Sequence, residues 1–146
     1  MITMKFRTRD FGEIDIDPGQ TLYFRQPVFG FDEYRNYAVL HDPDAGGDIA
    51  WLQSLDEPDL CFVLVSPQAV RGGYHPWLPS GLGNLVGDGA YDTWLIAVIH
   101  EQLERSTVNL KSPVIIDRNT GLGAQVVLES NYPIRYPLME EAVERC

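Results

Sequence analysis

Cys61-Phe62-Val63-Leu64-Val65-Ser66 and Thr93-Trp94-Leu95-Ile96-Ala97-Val98-Ile99 are two strand-length runs in which odd and even positions are equally apolar. Side chains of a strand alternate between its faces, so a run without a polar face has to be covered on both. These two segments are expected to be the central strands of a β fold, with Cys61 as a core thiol.

Working outward, Glu13 to Asp17 alternates, with Ile14 and Ile16 on one face and Glu13, Asp15 and Asp17 on the other. That is the pattern of a half-buried strand, and Asp17-Pro18-Gly19 turns the chain after it. Tyr37 to His41 and Ile49 to Ser54 add two more strands. Pro113 to Asp117 and Gly123 to Leu128 flank Arg118-Asn119-Thr120-Gly121, where a glycine suited to positive φ predicts a hairpin. Short strands separated by Gly, Pro, Asp and Asn clusters indicate an all-β sandwich or barrel.

Helix is scarce. Ser80 caps at most a turn through Leu82 and Leu85, since Gly81, Gly83 and Gly87 each cost about 1 kcal/mol relative to Ala. From Leu138 to Cys146, the i,i+4 pairs Leu138/Ala142 and Met139/Val143 predict a two-turn helix or a frayed tail.

The 146 residues fit one domain spanning 1–146, without repeats or a linker. Twenty-one carboxylates against eleven Lys and Arg leave a formal charge of −10. That field repels phosphate backbones and argues against direct nucleic-acid binding, while it speeds encounter with a basic partner. Met1 to Phe11 lacks the apolar stretch of a secretory signal, and no run approaches the roughly 18 apolar residues that span a bilayer. With two cysteines, Cys61 and Cys146, the chain is expected in the cytoplasm, away from membranes, where thiols stay reduced.

Chemistry finds no foothold. His41, His75 and His100 are too dispersed for a zinc site, and His100-Glu101-Gln102-Leu103-Glu104 lacks the second histidine of a metalloprotease helix. Asp42, Asp44 and Asp48 resemble part of a calcium loop, but Gln53 stands where a bidentate Glu is required, so the segment is expected to be a turn. No serine sits in Gly-x-Ser-x-Gly, Asp10-Phe11-Gly12 is a turn, and Gly46-Gly47 and Gly72-Gly73 lack the Lys or helix start of a phosphate cradle. Neither a metal nor a cofactor is expected, nor an enzyme.

Several segments combine polar and aromatic residues in ways that core packing does not demand. They are Phe24-Arg25-Gln26-Pro27-Val28-Phe29-Gly30-Phe31 with Tyr37-Ala38-Val39-Leu40; the stretch from Trp51-Leu52-Gln53-Ser54 through Pro58-Asp59-Leu60 to Val63; and Ser106-Thr107-Val108-Asn109-Leu110-Lys111-Ser112-Pro113-Val114-Ile115-Ile116. Gln125-Val126-Val127-Leu128, Tyr132 and Tyr136-Pro137-Leu138 follow in order. Together they resemble the flagellar assembly factor FliW family, from about Gly12 to Leu138. The resemblance implies a single antiparallel β-barrel-like domain that binds newly made flagellin in the cytoplasm. It also implies binding to CsrA, a basic-surfaced RNA-binding dimer that represses flagellin translation, with capture of CsrA once flagellin is exported. Between Gly72 and Tyr91 the chain departs from the family pattern: Leu78-Pro79 is kept, but glycines replace an acidic helix.

Candidate partner contacts follow. Phe29 and Phe31 are an aromatic pair, Phe29 expected at the surface and Phe31 in the packing. Asp32, Glu33, Asp56 and Glu57 could form an acidic rim for a basic surface. Gln53, Asp59 and Asn109 are polar residues in apolar neighbourhoods, and either tie loops to strand ends or meet a partner. The free protein is expected to be a monomer. Two rival readings are a small-ligand or flavin-binding barrel, motivated by three Trp, seven Tyr and six Phe, and a subunit of a larger assembly.

Overall fold

A computed structural model describes residues 3–70, 74, 76, 78, 86, 87 and 91–138. Eleven strands run through it: β1 Met4–Thr8, β2 Gly12–Ile16, β3 Leu22–Gln26, β4 Asn36–Leu40, β5 Ile49–Ser54, β6 Cys61–Val65, β7 Asp92–Val98, β8 Thr107–Val108, β9 Val114–Asp117, β10 Leu122–Gln125 and β11 Tyr136–Pro137. Neighbours pair in the order β3-β4-β5-β6-β7-β9-β10, and β10 returns to β3, which closes a seven-stranded barrel. β8 and β11 extend the edge of β7 beyond β9, while β1 and β2 form a separate hairpin.

Closure rests on one parallel pair, β3 with β10, whose register slips between Gly123 and Ala124. The other pairs are antiparallel. A barrel this narrow is filled by side chains and is no pore. Leu22, Phe24, Tyr37, Ala50, Leu52, Leu64, Val114 and Ile116 make the interior, with Val39, Phe62, Trp94 and Ile96 packed against them. Gly123 belongs to the same packing, because a Cβ there would lie 2.6 Å from Cε1 of Phe24. Outside, Val65, Leu95, Ala97 and Val108 pack with Tyr74, Leu110 and Leu128, while Ile115, Ala124 and Val126 pack with Val86.

β6 pairs with β5 and β7, and β7 with β6, β8 and β9, so in the closed ring the two expected central strands are paired on both sides but hold no central place; Arg118–Gly121 turns the β9/β10 hairpin with Gly121 at φ 73°. Two further expectations need correction. β7 is not covered along its whole length: Val98 is 56% exposed and Ile99 46%, because β9 pairs only with Asp92 to Trp94 and the strand outruns the barrel. Cys61 is half-buried at the start of β6 and is not a core thiol.

Four strands went unread in the sequence: β1, β3, β8 and β11. β3 alternates cleanly, with Leu22 and Phe24 buried and Tyr23 and Arg25 exposed. Among the described residues Val86 is helical, and 3-10 turns stand at Pro18–Gln20, Pro43–Ala45, Pro67–Ala69 and Leu103–Arg105. Proline opens three of them, and Asp42 and Ser66 cap two by accepting from the N–H groups of Asp44 and Gln68. The turn at Ser80 to Leu85 and the tail beyond Leu138 lie outside the described residues.

Candidate functional site: the loop end of the barrel

Three connections meet at one end of the barrel: the β1–β2 tip, the β3–β4 loop and the β5–β6 loop. Arg9 N–H donates to the Pro58 carbonyl (3.0 Å), and Leu55 N–H to that of Asn36 (2.8 Å). The Phe31 ring stands edge-on to Phe62 at 5.1 Å, and Phe11 edge-on to Trp51 at 5.7 Å.

The β5–β6 loop is built from two buried polar side chains. Ser54 Oγ accepts from the N–H groups of Asp56 (3.1 Å) and Glu57 (2.9 Å). Gln53 Nε2 lies within hydrogen-bonding distance of the carbonyls of Ser54, Pro58 and Leu60, at 3.0, 3.3 and 3.2 Å. An amide with no exposure and this many carbonyls around it ties the loop to the strand end. Gln53 therefore leaves the surface candidates, because burial and hydrogen bonding hold it beneath the loop. Asn109 is also a loop former, its Oδ1 accepting from Lys111 (2.9 Å) and Ser112 (3.0 Å).

What the loops display is different. Val28 is buried and Phe31 packs against the interior cluster, while Phe29 between them is 54% exposed. Asp32, Glu33, Asp56 and Asp59 are exposed and Glu57 half-buried. Asp56 also accepts from the backbone and side-chain N–H groups of Asn36, at 3.2 and 3.1 Å through Oδ2. The result is an exposed aromatic on a loop of the same barrel end as several exposed carboxylates. Asn109 is linked to this group through a relay: Ser112, whose N–H donates to Asn109 Oδ1, accepts at its carbonyl from Gln125 Nε2 (3.1 Å), and Gln125 Oε1 accepts from Phe29 N–H (2.8 Å).

Gln125 and Arg35 are the residues that sequence reasoning missed as site members. Gln125 is buried, and a lone amide in the run Gln-Val-Val-Leu was the available signal. Arg35 clamps the base of the β3–β4 loop by donating from Nη1 to the carbonyls of Phe24 (3.1 Å) and Arg25 (2.9 Å).

Cys61 opens β6 at this end of the barrel. Burial, then the neighbouring Asp10, pushes the Cys61 thiol up to about 11, which keeps it protonated and a poor nucleophile at neutral pH. His100 follows β7 in a loop, its N–H bound to Ser106 Oγ at 3.0 Å, far from a metalloprotease helix. Asp42 caps a short turn as expected of a linker between strands.

A family model described as FliW protein matches residues 5–138. The flagellar assembly factor FliW of Caldanaerobacter subterraneus subsp. tengcongensis is 32% identical over 142 residues, covering 94% of this chain and 95% of that protein. The protein of the same description from Syntrophus aciditrophicus is 33% identical over 141 residues, covering 94% and 89%. A crystal structure of the flagellar assembly factor FliW superposes with a TM-score of 0.82 at 26% identity, covering 92% of this chain and 96% of that one.

Proposed function

The chain belongs to the FliW family, and from that membership we propose that it is a flagellar assembly factor acting in the cytoplasm by binding proteins, without catalysis. It binds flagellin as a chaperone-like partner and, when flagellin has been exported, binds CsrA and relieves its repression of flagellin translation. The observation that carries this reading is the family match across nearly the whole chain, 5–138.

Physical features support it. A charge of −10 favours encounter with a basic protein and opposes binding of RNA itself. The barrel is a rigid scaffold whose loop end presents Phe29 beside exposed carboxylates, an aromatic anchor with a polar surround. The experiment is a calorimetric titration of the purified chain with CsrA and, separately, with the C-terminal region of flagellin. Saturable binding to each supports the reading, and binding to neither would sink it.

A further inference from the structure

At the other end of the barrel the strands open into a cleft of about 620 Å³. Its floor is Leu22, Val39, Trp94 and Ile116, the last layer of the interior, and Trp94 is only half-buried. Gln20 and Gln68, both exposed, line the cleft as well. The two formal charges among the lining residues cancel, since Arg118 Nε and Asp92 Oδ2 are 2.8 Å apart.

Uncancelled charge lies just outside. The β4–β5 connection carries the exposed Asp42, Asp44 and Asp48. It is anchored to the cleft by Ser66 N–H donating to the Asp48 carbonyl (2.8 Å) and by His41, whose ring stands 6.1 Å from that of Trp94. None of these residues takes part in the loop-end site.

Ligand sites are commonly concave, largely apolar and of this size, and barrel mouths are one of the places where they occur. An electroneutral interior does not select a charged group, while a carboxylate-bearing rim selects cations beside it. We propose that the barrel mouth is a second binding site, which takes a neutral apolar side chain of a polypeptide segment flanked by Lys or Arg. The apolar group rests on Trp94, the cations face Asp42, Asp44 and Asp48, and the bound backbone meets the amide of Gln68 and Nε2 of Gln20, whose Oε1 accepts from Asp17 N–H at 3.0 Å. This site is independent of the flagellar reading.

The test is an NMR titration of the isotope-labelled full chain with four probes: acetyl-Lys-Leu-Lys-amide, acetyl-Glu-Leu-Glu-amide, acetyl-Lys-Ser-Lys-amide and free indole. The Lys-Leu-Lys probe is expected to shift the amides of residues 20–22, 39–41, 66–68 and 92–94. It should bind about tenfold tighter than Glu-Leu-Glu, and the Lys-Ser-Lys probe should leave those amides in place. The double substitution Asp44→Asn, Asp48→Asn, at exposed positions, should narrow the preference while the spectrum of the free protein keeps its dispersion. Equal binding of the two leucine probes, no shift at the mouth, or tighter binding by indole than by Lys-Leu-Lys would each overturn the proposal, the last by making the cleft a pocket for small aromatics. No flagellar protein enters this experiment, so its failure leaves the assembly-factor reading where it stands.

Discussion

The backbone N–H of Phe29 donates to Oε1 of Gln125 at 2.8 Å, across a separation of 96 residues. Through the other end of the same amide, Gln125 Nε2 donates to the Ser112 carbonyl at 3.1 Å. One buried side chain thus holds the most exposed aromatic of the loop end against the strand that closes the barrel. Substituting Gln125→Ala leaves a donor and an acceptor without their partner, at a cost of about 1–3 kcal/mol. Urea denaturation should show that loss, and partner binding should weaken with it because the β3–β4 loop loses its tether.

Phe29 and Phe31 should separate display from packing. Phe29→Ala removes an exposed ring and should change stability by no more than about 0.5 kcal/mol. As an anchor it should cost about 2 kcal/mol of partner binding, roughly 30-fold in Kd. Phe31→Ala removes a ring packed on Phe62 and the interior, and should lower the melting temperature before it alters affinity. Paired melting curves and titrations of the two variants check this. Equal effects on stability would contradict it.

Gly123→Ala places a Cβ 2.6 Å from the Phe24 ring, in a barrel interior that has no room to yield. Overpacking of this kind costs about 1–3 kcal/mol. Phe24→Leu should relieve part of it, so the double variant should be destabilised by less than the sum of the two single ones. Additive losses would mean that the barrel relaxes around the new methyl group.

Stability should fall on the alkaline side. Burial first, then Asp56 and Tyr34, pushes the Tyr37 hydroxyl up to about 12, and the Cys61 thiol lies at about 11. Both hold their protons more tightly folded than unfolded. Their contribution is therefore complete below the ordinary values of 9.0 for cysteine and 10.0 for tyrosine, and is lost as pH rises through 11 and 12. The Tyr37 hydroxyl is buried without a hydrogen-bond partner among the described residues, so Tyr37→Phe should be at least as stable at neutral pH. Between pH 10 and 12 it should lose less stability than the parent, as urea unfolding across that range would show.

Local pattern carried much of the architecture. Alternation and apolar runs mark β2, β4, β5, β6, β7 and the β9/β10 hairpin in the sequence, because each strand's burial is written in its own residues. Barrel closure is not written there. β3 meets β10 in parallel about a hundred residues away, with a register slip at Gly123, and pairing at that distance leaves no local mark. The site shows the same division. Phe29 is expected at the surface and Phe31 in the packing, and they are found there, whereas Gln53 and Asn109 read as polar anomalies whose partners, backbone groups of their own loops, appear only in the fold. Gln125 stayed hidden because an amide in a strand has the same appearance facing solvent as facing a buried loop.

The proposed antagonism has this chain keep CsrA off its RNA by binding CsrA itself. It is tested most directly by fluorescence anisotropy of a labelled flagellin-leader RNA bound to CsrA, titrated with the purified chain. Anisotropy is expected to fall to that of free RNA as the chain is added, and prior saturation with flagellin to suppress the fall. RNA that stays bound at every concentration of the folded protein would contradict it.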